Sequence, residues 1–342
     1  MLCVRKAEIS EIPAVMQFIA EHWKKDHILA VDRDFFEWMY VQGEELNFNL
    51  AVDDETGEIF GINGFILYNH EANPDMSGSM WKVLPNQSPA LGLSLGEYSW
   101  ERWQPRDVFS LGLNERAAKI EHLYGSETAC LECWYRLGKN DGFKLAKIAT
   151  IPETDFNAET GKFGCIFSMD EFKQAVSDVQ LKKNTPYKNY SYIEHRFFNH
   201  PVYEYQFYRI MNREETCSGV FVCREAEHDG VRVCKIIDFY GEDAAVSYSG
   251  GLWDWLLQEK AYEFIDFYCY GIAHQYLKKA GFSLLSQEDG NIIPNYFEPF
   301  ERENVKIRIV VAHWPSFHLY RGDGDQDRPS IPRRWSRLRR IK

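Results

Sequence analysis

The stretch Met80-Trp81-Lys82-Val83-Leu84-Pro85-Asn86-Gln87-Ser88-Pro89-Ala90-Leu91-Gly92, inside Ser77–Gly125, decides the fold. Met80–Leu84 mixes apolar and β-favouring residues and stops at Pro85, as a strand does. Gln87–Gly92 is a short loop of small residues, and Leu91–Trp103 then has apolar spacing that suits a helix. Asp107–Leu113 reads as a further strand. Asn114 is placed to cap a second helix, in which Ala117, Ile120 and Tyr124 share a face, and Gly125 stands where that helix would stop. A strand, a small-residue loop and a helix N-terminus make an anion site, because main-chain N–H groups point out of the loop and the helix dipole favours negative charge.

The surrounding chain extends this order. Val4–Glu8 reads as an opening strand, and Ser10 as an N-cap before the stripe Ile12, Val15, Met16 and Ile19. A helix is expected near Asp34–Tyr40. Strands are expected at Phe48–Asp53 and Ile59–Tyr68, joined by the turn Asp54–Gly57, with another at Thr128–Leu137. Beyond a connection at 138–186, in which Met169–Leu181 reads as a helix, the same order returns. Tyr205–Met211, Gly219–Arg224 and Val231–Phe239 are strand-like, Ser249-Gly250-Gly251 is a small-residue loop before a helix, and Phe264–Tyr270 is again a strand. Ala273, Tyr276, Leu277 and Ala280 then repeat the spacing seen before Gly125. The expected organisation is α/β with mixed sheets: one unit at 1–137, the connection at 138–186, a second unit at 187–320, and an Asp/Gly-rich turn with a basic tail at 321–342.

The chain has 342 residues, enough for two units of ordinary size, and 45% are hydrophobic, enough for sizeable cores. Acidic residues outnumber basic ones by 51 to 39, which argues against a nucleic-acid-binding body, since that needs a basic face. The charged start Met1–Glu8 has no apolar signal region, and no run is long enough to span a bilayer; the expected location is cytoplasmic, with the eight cysteines as thiols.

Gln87-x-x-Ala90-x-Gly92 resembles the coenzyme A signature of the GNAT acyltransferase superfamily, with Ala in place of its first Gly, and Asn114-x-x-Ala117 leading to Tyr124-Gly125 resembles that superfamily's following helix. The resemblance implies two GNAT-like domains in tandem and acyl-CoA, acetyl-CoA or longer, as co-substrate. The pyrophosphate and pantetheine would lie on Gln87, Ala90, Leu91, Gly92, Asn114 and Ala117. It also implies stabilisation of the thioester oxyanion by main-chain N–H groups of the preceding strand, at Val83 and Leu84. Tyr124 would protonate the departing sulfur, its phenol having a pKa close enough to a thiol's for the transfer; the alternative is a tyrosine packed at a helix end. No general base is evident. The second unit lacks the signature, so one donor site per chain is expected.

Tandem architecture of this length resembles bacterial nucleotide-sugar N-acyltransferases of O-antigen and lipopolysaccharide biosynthesis. That likeness implies a nucleotide-linked amino sugar as acceptor, dTDP-linked in the reading adopted, with Asp323, Asp325 and Asp327 as sugar- or amine-binding carboxylates; the alternative for these three is a solvated turn. The competing assignments are a FemX-like aminoacyl transferase and a non-catalytic binding module. Metal is not expected. Cys130-x-x-Cys133 has no partner pair, and Asp323-x-Asp325-x-Asp327 lacks the Gly and Glu of a calcium loop. The basic tail Arg333–Lys342 is either a peripheral contact to an anionic membrane or a solubilising end.

Overall fold

The computed structural model describes residues 2–85, 87–123, 125–139, 142–153, 161–311, 317–324 and 326–330. In the first unit β1 (Leu2–Lys6) lies antiparallel to β2 (Phe48–Asp53), and α1 (Ile12–His22) and α2 (Arg33–Tyr40) run between them. Their signals are local. Pro13 stands in the first turn of α1, and Ile12, Val15, Phe18 and Ile19 are buried along one stripe. The Asp32 carboxylate accepts the Phe35 amide at 3.1 Å and starts α2. β3 (Ile59–Leu67) and β4 (Asp75–Val83) continue the sheet antiparallel, and α3 (Pro89–Trp103) crosses to β5 (Asp107–Leu111), which runs parallel to β4. α4 (Glu115–Leu123) and β6 (Glu127–Cys130) follow. Helix α3 begins two residues before the expected Leu91, because the Ser88 hydroxyl accepts the Ala90 amide at 3.3 Å. Strand β5 stops at Leu111 rather than Leu113, because Gly112 turns the chain with a φ of 77°.

The expected strand Thr128–Leu137 is two strands, β6 and β7 (Glu132–Leu137), and they lie in different sheets. The second sheet contains β8 (Lys162–Ile166), β9 (Gln206–Met211), β10 (Ser218–His228), β11 (Val231–Gly241), β12 (Phe264–Tyr270), β7 and β13 (Ser283–Leu284), in that order. Near its end the chain returns β14 (Arg308–Val311) to the first sheet, whose order is β1-β2-β3-β4-β5-β14-β6. Each half therefore supplies a strand to the other's sheet, in the same place: next to the outer strand of the parallel pair. The divisions at 137 and 186 are corrected accordingly. β7 precedes the first of them yet belongs to the second sheet, and the connection holds that sheet's edge strand β8. The expected helix Met169–Leu181 is two, α5 (Met169–Ala175) and α6 (Asp178–Leu181), because the Ser177 hydroxyl accepts the Gln180 amide at 3.3 Å and starts a new one.

The second sheet repeats the order of the first. β11 and β12 are its parallel pair and α7 (Gly250–Glu259) is their crossover. A shared core joins the two sheets: Tyr68, Phe109 and Leu111 of the first unit pack in one cluster with Phe207, Val220 and Tyr268 of the second.

Candidate active site

The parallel pair β4 and β5 is bonded only at Asp75–Gly78 and Asp107–Ser110. Beyond Gly78, β4 runs on to Val83 without β5 beside it. The parting begins at a β-bulge: Gly64 pairs with Met80 and Phe65 with Gly78, so Ser79 is an extra residue that kinks the strand. The Ser79 hydroxyl is hydrogen-bonded to Tyr40 of α2.

A cavity of about 860 Å³ occupies this opening. Its floor is apolar, from Phe65, Met76, Val108 and Phe109. Helix α3 contributes Gly92, Gly96 and Ser99, about one turn apart, with the larger Leu93, Glu97 and Trp100 beside them. A Cβ on Gly96 would meet no atom within 4 Å, whereas one on Gly92 would stand 3.0 Å from Cζ2 of Trp81, whose Nε1 donates to the Gly92 carbonyl at 3.1 Å. Helix α4 contributes Asn114, Ala117 and Glu121, again one face, and the chain continues along the cavity through Gly125 and Ser126. The far wall comes from the second half of the sequence: Tyr296, Gln326, Arg328 and Ser330.

The charged lining residues, among those described, are Glu97, Glu121 and Arg328. Burial raises the Glu121 carboxyl above its usual range, partly offset by the Ser126 hydroxyl, which donates to it at 3.4 Å. Arg328 donates to Nε2 of His27 at 2.9 Å; burial, and then that guanidinium, push the imidazole down to about 3, so His27 is neutral at pH 7.

Of the expected donor-site residues, the structure brings Gly92, Asn114 and Ala117 to the cavity. Asn114 is also the cap of α4, its Oδ1 accepting the Ala117 amide at 2.9 Å. Gln87 and Ala90 lie at the N-terminal end of α3, outside the cavity lining. Leu91 is buried with Ala51 and Leu95, and Val83 packs against that cluster. The assignment of Leu84 as an oxyanion donor is corrected: its amide is already bonded to the Phe60 carbonyl at 2.8 Å. The residue at the parting is Ser79, four positions earlier than Val83. Tyr124, Asp325 and the tail Arg333–Lys342 lie outside the described residues.

The solvated-turn reading of the Asp/Gly-rich segment is also corrected. Asp323 and Asp327 are 0% and 3% exposed. The Lys188 ammonium lies 2.7 Å from both Asp323 and Asp238. Burial pushes the Asp323 carboxyl up to about 6, against the pull of Lys188. Asp327 accepts from Arg224 at 2.8 Å and from the Tyr205 hydroxyl at 2.7 Å. Burial alone would raise its pKa, but the Arg224 and Arg196 guanidiniums outweigh that and hold it well below the carboxylate range. Both carboxylates are thus committed to internal partners.

This segment also explains the second unit. β11 and β12 part after Ile236 and Phe267, as β4 and β5 do. Here the gap is filled by β15 (Leu319–Tyr320), which pairs with Cys269 and Tyr270, and by Gly322, whose amide donates to the Ile237 carbonyl at 2.7 Å. The chain then crosses to the first unit, where Tyr68 accepts the Gly324 amide at 2.7 Å, and continues into the wall of the open cavity.

Sequence reasoning missed Ser79, Glu121, Trp23, Tyr296 and the C-terminal wall. Glu121 was within its reach, since it lies seven residues after Asn114 and four after Ala117, on their helix face. The others come together only through the tertiary fold. Among the described residues no helix is long and apolar enough to cross a membrane, and no group of three His, Cys, Asp or Glu is placed to hold a metal. Cys130 and Cys133 fall on β6 and β7, in different sheets.

No family model and no curated protein sequence matches the chain. Solved structures do. A GCN5-related N-acetyltransferase from Anabaena variabilis superposes with a TM-score of 0.55 over 91% of this chain and 72% of its own, at 9% identity. A probable N-acyltransferase from Enterococcus faecalis gives 0.52 over 83% and 70%, at 10% identity. A GCN5-related glucosamine N-acetyltransferase region of a fungal multi-domain β-N-acetylglucosaminidase gives 0.50 over 91% of this chain and 38% of its own, at 11% identity. With two equivalent sheets, each split at one parallel pair, the chain carries the GCN5-related N-acetyltransferase fold twice, as two mixed α/β units that exchange a strand.

Proposed function

We propose that the protein is an acyl-CoA-dependent N-acyltransferase whose acceptor is the amine of a nucleotide-linked amino sugar. The observation that carries the reading is the cavity through the parted strands β4 and β5, bounded by α3 and α4. A thioester arm needs such a passage. Its phosphates would rest on the N-terminal end of α3 at Gln87–Gly92, where Ser88 caps the helix and the dipole is favourable. Its pantetheine would pass Asn114 and Ala117. The carbonyl would meet the bulge at Ser79, the extra residue of β4. Tyr124 is the proposed acid for the leaving sulfur. No metal is part of the reading.

The acceptor side supports a bulky, polar, ring-bearing amine. Trp23, Trp100 and Tyr296 are 48%, 41% and 40% exposed and line the cavity, and aromatic side chains of this kind suit a sugar ring or a base. The fungal region of similar fold is named for glucosamine N-acetylation. Asp323 and Asp327 do not enter this reading, because they are internally paired; Gln326 and Arg328 take their place as acceptor-side polar groups.

Calorimetry with CoA and acetyl-CoA, followed by thiol release with dTDP-linked amino sugars, tests the proposal. Binding of both thioester and thiol with transfer to an amino sugar is the expected result. Absence of CoA binding to the intact protein overturns it.

A further inference from the structure

We propose that Glu121 is the catalytic base of the acyl transfer, taking the proton from the attacking amine. This rests on the cavity being the acyl-CoA site. Glu121 projects from the same face of α4 as Asn114 and Ala117 and lines the cavity between Ala117 and Gly125. Its carboxylate is held in place by the Ser126 hydroxyl, 3.4 Å away, on the residue whose amide also bonds the Glu121 carbonyl at 3.1 Å. It has no ion-pair partner among the described residues, unlike Asp75, Asp266 and Asp327, whose carboxylates are committed to arginines. The other charged groups that face the cavity are Glu97 from α3 and Arg328 from the C-terminal wall. Glu97, further along the opposite helix, shows no comparable burial, and Arg328 cannot accept a proton.

Burial raises the Glu121 carboxyl above its ordinary value, which strengthens it as a proton acceptor. The step balances as follows. The amine nitrogen forms the C–N bond and loses one proton to Glu121. The C–S bond breaks with its electron pair on sulfur, and the thiolate takes a proton from solvent. Glu121 then gives its proton to solvent and is restored. The products are an amide and free thiol.

Two measurements test the assignment. The first is location. Glu121→Cys, incubated with the disulfide of coenzyme A, should form a mixed disulfide at residue 121 at least tenfold faster than Leu123→Cys does at residue 123, on the exposed face of the same helix. Equal rates at the two positions overturn the proposal. The second is chemistry. Glu121→Gln should lower turnover about 100-fold, as loss of general base catalysis does. It should also remove the acidic limb of the pH–rate profile while leaving the calorimetric affinity for CoA within about twofold, a combination that a packing role would not produce. Turnover within about threefold of wild type, or an acidic limb that persists, overturns it. A wild-type protein that binds no CoA fails at the underlying reading instead, so the two failures are distinguishable.

Discussion

Gly322 lies against Ile237 so closely that a Cβ on Gly322 would stand 2.9 Å from the Ile237 carbonyl oxygen. The contact marks where the C-terminal segment closes the second unit's parted strands, and it gives the two units different fates from one topology. One opening is a cavity; its counterpart is filled with the protein's own main chain. Titration with CoA should therefore saturate at one molecule per chain, and two equivalent sites would refute the assignment. Gly322→Leu wedges the segment away from β11 and should cost about 1–3 kcal/mol in urea denaturation. A variant as stable as wild type would show that the fit at this point does not matter.

Gly96 offers a cleaner probe of the cavity than Gly92, where any side chain also collides with Trp81. Gly96→Ala should stabilise α3 by up to about 1 kcal/mol, through helix propensity alone. Gly96→Leu should keep the fold, because the space is open, and lower CoA affinity at least tenfold by occupying it. Unchanged calorimetric affinity in the Leu variant would exclude this wall from the donor site.

Tyr124→Phe separates an acid from a packed ring. If the hydroxyl protonates the leaving sulfur, turnover should fall toward the low end of the usual 10²–10⁴-fold range, about 100-fold, with both Michaelis constants nearly unchanged. A loss within about threefold (~0.65 kcal/mol) is too small for a general acid and would withdraw the role.

The ion pairs of Asp327 carry a pH dependence whose sign follows from its depressed pKa. Its contribution to stability is full above the unfolded-chain value near about 4 and is lost as the pH falls toward the lower folded value. Asp327→Asn leaves Arg196 and Arg224 buried without their carboxylate, a change that typically costs about 3–5 kcal/mol at pH 7. The variant's denaturation midpoint should also respond less to acid than wild type's below about pH 4. An equally steep acid response would place the dependence elsewhere.

The order of elements around Gln87–Gly92 was legible because its signals are local: a proline stop, a serine cap, an asparagine cap and one helical period. The second copy was legible for the same reason, and Phe264–Tyr270 matches its strand residue for residue. The exchange of β7 and β14 was not. An apolar run such as Arg308-Ile309-Val310-Val311 carries a strand signal but nothing that names its sheet. The burial of Asp323 and Asp327 was hidden for a related reason. Their partners Lys188, Arg196 and Arg224 are about 100 or more residues away, while the local composition of Gly and Asp describes a surface turn.

The exchanged strands also set an order of events in folding. β14 is bonded on both edges, by β5 and by β6, so the first sheet stays divided until residue 311 has joined it. β7, made early, must wait for β12 and β13, about 130–150 residues later. Neither half can finish before the other, so during synthesis the N-terminal half would leave the ribosome with strand edges of β5, β6 and β7 unsatisfied. Such long-range closure slows folding and exposes those edges to wrong partners. It also makes the pair a single cooperative body: cutting the chain between the units would yield two incomplete sheets rather than two small domains.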